Sequence, residues 1–236
     1  GISTMGQLCQ TSLENEDILF KTFGVNAELL IDHAWGYEPC TMKDIKLYKP
    51  ENNSIGSGQV LSCPYSFEQT KVIVKEMVDA LALNLVNKHV VTNKLVLMIG
   101  YEQNEEYVGE TMMDFYGRIL PKHLHKIIHL PQKTNAYSVM ITNVMEVYDH
   151  FVNPNLMVRR LNLSAIEIID EKYRGFEQVD LFSTVDEDTL KKEKSLQQVT
   201  LKIKEKYGKN SILKGTNLEK GASTVERNEQ IGGHKA

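Results

Sequence analysis

The sequence predicts an α+β fold whose centre is a two-layer βαββαβ unit, an antiparallel or mixed sheet with two helices on one face. Three observations predict it. Val74, Met77, Val78, Leu81 and Leu85 fall on one face of a first helix, and Tyr137, Met140, Ile141, Val144, Tyr148 and Phe151 on one face of a second. The apolar runs Leu95 to Tyr101 and Leu161 to Ile169 supply the nearest surfaces for those helices to lie on. Between about Ser54 and Asp170 the order is strand, helix, strand, then strand, helix, strand. One sheet face is left uncovered.

Ahead of this unit, residues 1 to about 45 read as short helices joined by tight turns. Ser12 is placed to cap a helix in which Ile18, Leu19 and Phe23 precede Gly24, and Asn26 to cap the next, with Ala27, Leu30, Ile31 and Ala34. This is a helix, hairpin, helix arrangement with Phe23-Gly24-Val25 in the hairpin. Either it only packs, with Trp35 as core filler, or a helix start there receives phosphate. The polar stretch Met42 to Asn53 has no sustained period, and residues 46–53 read as a linker.

The first strand, Ser54-Ile55-Gly56-Ser57-Gly58-Gln59-Val60-Leu61, carries glycines that suggest close backbone approach or a bulge. Ser66 and Gln69 form a capping box, so the first long helix starts near Phe67 and ends near Asn87 or His89. The second strand is Leu95 to Tyr101, and an acidic loop with Glu102, Glu105, Glu106, Glu110 and Asp114 follows. Leu120 to Leu130 reads as the third strand, with Leu124, Ile128 and Leu130 toward the helices and His123, His125 and His129 away from them. The second helix runs from near Asn135 to before Asn153-Pro154. In the fourth strand, Val158 to Ala165, Leu161, Leu163 and Ala165 face the helices, leaving Arg160, Asn162 and Ser164 on the open face. From Asp188 to Tyr207 a lysine-rich helix places Leu196, Val199, Ile203 and Tyr207 on one narrow face, and the remaining tail is expected to be mobile unless docked.

Composition bounds the function. The 236 residues are 42% hydrophobic and 25% charged, a globular balance, and no apolar run approaches the roughly 18 residues of a membrane span. With no signal peptide visible, a cytoplasmic protein is expected. Cys9, Cys40 and Cys63 are odd in number and far apart, fitting reduced thiols better than a disulfide framework or zinc site. The net charge of −4 hides segregation: Phe115 to Met145 has no acid and carries Arg118, Lys122, Lys126 and Lys133, a local anion site. Three histidines along a strand lie about 6.5 Å and more apart, poor geometry for one metal. The adjacent acids Asp170-Glu171 and Asp186-Glu187-Asp188 are better explained by structure than by two-metal chemistry. No nucleotide-binding loop, nucleophile elbow or zinc spacing occurs, so no catalytic residue and no metal ligand is assigned.

Several stretches resemble the Y-family translesion DNA polymerases, in particular the mutagenesis-type members of Gram-positive bacteria. Gly1 to Leu8, Phe23-Gly24 and Trp35-Gly36 resemble the end of the helical thumb; Ser54-Ile55-Gly56 and Val158-Arg159-Arg160-Leu161 resemble the first and last strands of the little finger. Thr224 to Asn228 with Ile231 to His234 is similar to the family's C-terminal end. The resemblance implies a partial thumb at 1–45, a little finger at 54–170, a clamp-binding segment at 171–187 and a helical, partly mobile tail at 188–236. It implies that Ser54, Ile55, Gly56, Arg159 and Arg160 grip template-primer DNA. Gln178-Val179-Asp180-Leu181-Phe182 resembles the peptide by which bacterial polymerases bind the sliding clamp, Leu181 and Phe182 as apolar anchors and the Gln178 amide setting register.

The palm and fingers of that family have no counterpart here, and with them the carboxylates that hold two Mg2+ ions. The chain is therefore expected to need no cofactor, to be inactive alone, and to serve as the damaged-DNA-binding C-terminal part of an error-prone polymerase of the SOS response. Two rivals are a stand-alone ferredoxin-like module binding nucleic acid or protein, and a metal-dependent hydrolase using the histidine strand.

Overall fold

The computed structural model describes residues 1–48, 53–114, 117–173 and 187–230. The chain divides into two compact units, Gly1–Glu51 and Asn52–Ala236.

In the first unit, a capping box of Thr4 with Gln7 starts α1 (Met5–Glu14), so Ser12 lies inside a helix and bonds the Cys9 carbonyl at 2.6 Å instead of capping the next one. Asn15 separates α1 from α2 (Glu16–Phe23), and Gly24 closes α2 with a φ of +59°, a conformation that favours glycine. α3 (Asn26–Ala34) begins at Asn26 with no side-chain cap. Leu8, Leu19 and Ala27 form a small buried cluster. Trp35 is 55% exposed rather than core filler, its indole N–H donating to Ser12 Oγ at 3.2 Å. The stretch read as featureless after Thr41 contains a short helix, α4 (Met42–Leu47), because Thr41 and Asp44 form a second capping box.

The second unit is α+β. Its strands and helices run β1 (Ile55–Tyr65), α5 (Phe67–Asn87), β2 (Val90–Tyr101), β3 (Thr111–Met113), β4 (Ile119–Pro121), β5 (Leu124–Thr134), α6 (Tyr137–Phe151), β6 (Val158–Ile166), β7 (Ile169–Asp170), α7 (Glu187–Tyr207) and α8 (Thr224–Asn228). The main sheet has the order β1-β6-β2-β5, with every neighbouring pair antiparallel, and β7 pairs with the start of β2. The expected capping box at Ser66 and Gln69 starts α5.

α5 and α6 pack side by side on one sheet face because their stripes meet the alternating residues of the strands. Ile73, Val74, Val78, Leu85, Met140 and Val144 are buried against Leu95, Leu97, Ile99, Ile128, Leu161, Leu163 and Ala165. Tyr148 is buried whole, its hydroxyl donating to the Phe67 carbonyl at 2.8 Å, and burial raises its phenol well above the ordinary range.

Two strand assignments change. Leu120 to Leu130 is not one strand: β4 ends at Pro121, and Lys122 donates its N–H to the Glu110 carbonyl at 2.8 Å before β5 starts. Proline offers no ladder donor, so the chain turns there. The acidic loop accordingly holds β3, paired with β4, which brings acids onto bases: Glu110 meets Lys122 at 2.7 Å and Asp114 meets Arg118 at 2.6 Å. The basic stretch is thus partly neutralised by the acidic loop before it rather than an open anion site.

The lysine-rich helix docks by polar residues rather than by its apolar stripe. α7 turns Gln197 inward, 7% exposed, while Leu196, Val199 and Tyr207 are 65%, 51% and 66% exposed. Polar bonds explain the choice. α6 has no side-chain cap of its own, and Glu193 accepts from the Ser138 N–H at 2.8 Å; Lys194 pairs with Glu171 at 2.5 Å; Gln197 donates to the Asn135 carbonyl at 3.3 Å. The described part of the tail beyond α7 is docked: Asn217 is buried against α5, and Lys214 reaches Asp79 at 2.6 Å. Ile231 to His234 lie outside the described residues.

Candidate nucleic-acid interface

The strand registers define the sheet face opposite the helices. One row runs Gly56, Ser164, Val96, Ile127; the next Gly58, Asn162, Met98, His125; a third Val60, Arg160, Gly100. Lys94 and His129 pair beyond them. Arg160, His125, His129, Val60 and Ile127 are exposed, Asn162 and Ser164 half-buried. Alternation puts these residues together, since one parity of each strand is consumed by the core. The result is a polar surface with a few exposed apolar side chains.

Of the residues expected to grip DNA, the structure brings some together and turns others away. Ser54 is exposed just before β1, and β1 is an edge strand paired only with β6 among the described residues, so its outer backbone groups face outward. Such N–H groups are phosphate donors that read no sequence. Ile55 packs its side chain on the core, leaving only its backbone for contact. Gly56 has a reason within the sheet: a Cβ there would collide with the Ser164 side chain and stand 3.0 Å from the Leu163 carbonyl oxygen. Its close approach is therefore to β6.

The arginine pair is split by a register shift where Gly100 pairs with Arg160 and Tyr101 with Val158. Arg159, displaced by the irregularity, meets Glu102 at 3.5 Å, whereas Arg160 lies on the open face with no acid paired to it among the described residues. Lys94 belongs to the same face and pairs with Glu167 at 2.5 Å. A strand begun at Leu95 leaves Lys94 out; β2 begins at Val90, and the same alternation carried one step back places Lys94 on this face. His123 stands off the row, half-buried, its Nδ1 2.9 Å from Met112 Sδ.

No three His, Cys, Asp or Glu side chains converge among the described residues. The paired acids have other partners: Asp170 accepts from the Lys172 N–H at 2.8 Å, Glu171 pairs with Lys194, and Asp188 lies 3.6 Å from Lys191. The described residues therefore do not fit a catalytic Mg2+ site. The proposed clamp segment, Gln178 to Phe182, lies outside the described residues, as does Asp186. No helix among the described residues is long and apolar enough to cross a membrane.

No protein-family model matches the chain. Curated relatives do. A DNA polymerase IV of Bacillus velezensis is 27% identical over 224 residues, 94% of this chain and 48% of the relative. DNA polymerase IV 1 of Bacillus subtilis is 27% identical over 231 residues, 96% and 48%. A Bacillus subtilis protein named for UV-damage repair, UvrX, is 26% identical over 238 residues, 100% and 50%. The chain spans about half the length of the curated relatives it matches, and that half is their C-terminal one. The likeness to Y-family polymerases read from the residues is borne out by these homologues.

Proposed function

We propose that the chain acts as the DNA-gripping C-terminal half of a Y-family translesion polymerase, working on damaged DNA in the bacterial cytoplasm. In this reading residues 1–45 are the end of the thumb, 54–170 the little finger and 188–236 a tail, and Gln178 to Phe182 tether the enzyme to the sliding clamp. The observation that carries it is the open sheet face, where Arg160, His125, His129, Asn162 and Ser164 stand opposite the two-helix layer. A sheet in which β1 forms an edge among the described residues and which carries an arginine on its open face suits sequence-independent phosphate contact. Relatives named as polymerases support the same reading.

Nucleotidyl transfer would belong to the segments of the relatives that this chain does not match, and Mg2+ would be held there. The chain's own residues bind and position duplex. The test is a salt titration of duplex binding. The chain should bind weakly and without sequence preference, and Arg160→Ala should weaken binding and reduce the salt slope by about 1, with Arg159→Ala, whose side chain is held at Glu102, adding less. Unchanged affinity and slope would place the DNA surface elsewhere.

A further inference from the structure

The residue pattern of α7 and its docked orientation disagree in a way that points to a partner. A helix ordinarily buries its apolar stripe, but α7 is held by Glu193, Lys194 and Gln197 and leaves Leu196, Val199 and Tyr207 in solvent. The stripe Leu196, Val199, Ile203 and Tyr207, at i, i+3, i+7 and i+11 spacing with Ile203 half-buried and the other three exposed, faces out from a helix fixed on its other side and is the surface that another amphipathic element covers.

The charges beside the stripe say what kind. Lys192 continues its line one turn toward the N-terminus, and Lys202 and Lys206 line the flank next to Val199, with the Lys206 ammonium 5.0 Å from the Tyr207 ring centroid. Between Lys192 and Tyr207 the helix has two acids: Glu193 turns inward onto Ser138, and Glu205 lies farther round than Lys202. We propose that this face of α7 docks an acidic, amphipathic segment of a partner protein. A second copy of the chain would set lysines against lysines. A nucleic-acid backbone would use the lysines but has no place for Leu196 and Val199. A lipid surface would favour a wider apolar face than one flat row.

The probe is a synthetic helical peptide of about three heptads, leucines at the core positions and glutamates at the flanks. Its binding to the full chain is followed by fluorescence anisotropy. We expect saturable binding, weakened by about tenfold or more by Leu196→Asp with Val199→Asp at an unchanged thermal transition. Charge reversal of Lys192, Lys202 and Lys206 to Glu should abolish it, and a lysine-flanked peptide should restore binding to that variant. No saturable binding, or equal binding by the Leu196 and Val199 variant, overturns the proposal. A concentration-dependent dimer lost in that variant assigns the stripe to a second copy, and cosedimentation with anionic vesicles lost in it assigns the stripe to lipid; either result also overturns the proposal.

Discussion

Glu76 on α5 and Asn217, 141 positions later, meet through a 2.9 Å hydrogen bond from the Asn217 amide to the Glu76 carboxylate, which is 4% exposed. The same carboxylate accepts the Ser223 N–H at 2.8 Å and the Thr224 N–H at 3.2 Å. The Ser223 hydroxyl also reaches it at 3.4 Å, so one acid binds four donors of the tail, where each donor buried without an acceptor would cost about 1–3 kcal/mol.

Glu76→Ala should release this anchor. The tail can re-expose its donors to water, so the loss is expected at about 2 kcal/mol rather than the sum of the bonds. Urea unfolding gives the size, and amide exchange at Ser223 and Thr224 gives the place. Glu76→Gln, keeping one oxygen acceptor, should lose less. Slow exchange at both amides in Glu76→Ala would mean that the tail is held by other contacts.

Gly56 and Ser164 offer a test of packing independent of DNA. Gly56→Ala forces a Cβ onto the Ser164 side chain and should destabilise by about 1–3 kcal/mol. Adding Ser164→Gly should recover much of that loss in thermal melts. Without recovery, the crowding comes from the Leu163 carbonyl instead.

The clamp reading is tested by Leu181→Ala with Phe182→Ala. Surface plasmon resonance against a bacterial sliding clamp should show binding lost, since truncated anchors commonly cost at least about 2 kcal/mol each. Melting temperature and DNA affinity should stay as they were. A lower melting temperature with clamp binding retained would make both side chains structural.

If the chain is the DNA-gripping half proposed above, with nucleotidyl transfer belonging to the segments of the relatives it does not match, purified chain supplied with Mg2+, primed template and nucleotides should extend no primer. Extension inhibited by chelator would overturn this and demand a metal site.

Much of the second unit could be read locally. The α5 capping box, the α6 stripe ending at Phe151, and the Leu161, Leu163, Ala165 alternation depend on neighbours within a few positions, and periods of 3.6 and 2 survive in any context. The open-face positions of His125, His129, Arg160, Asn162 and Ser164 followed from the same parity.

What only the tertiary structure decided depends on partners far apart in sequence. Arg159 is held beside Glu102, and Gly56 has the Ser164 side chain of β6 against it, partners that neither strand shows along its own sequence. α7 buried Gln197 rather than Leu196 because polar groups on α6 and near β7 needed acceptors and donors that α7 carries. Composition and period thus determined which residues are apolar and how each element repeats. Pairing, register and the choice between two faces of one helix came from hydrogen-bond demands across the fold, and no local pattern encodes those.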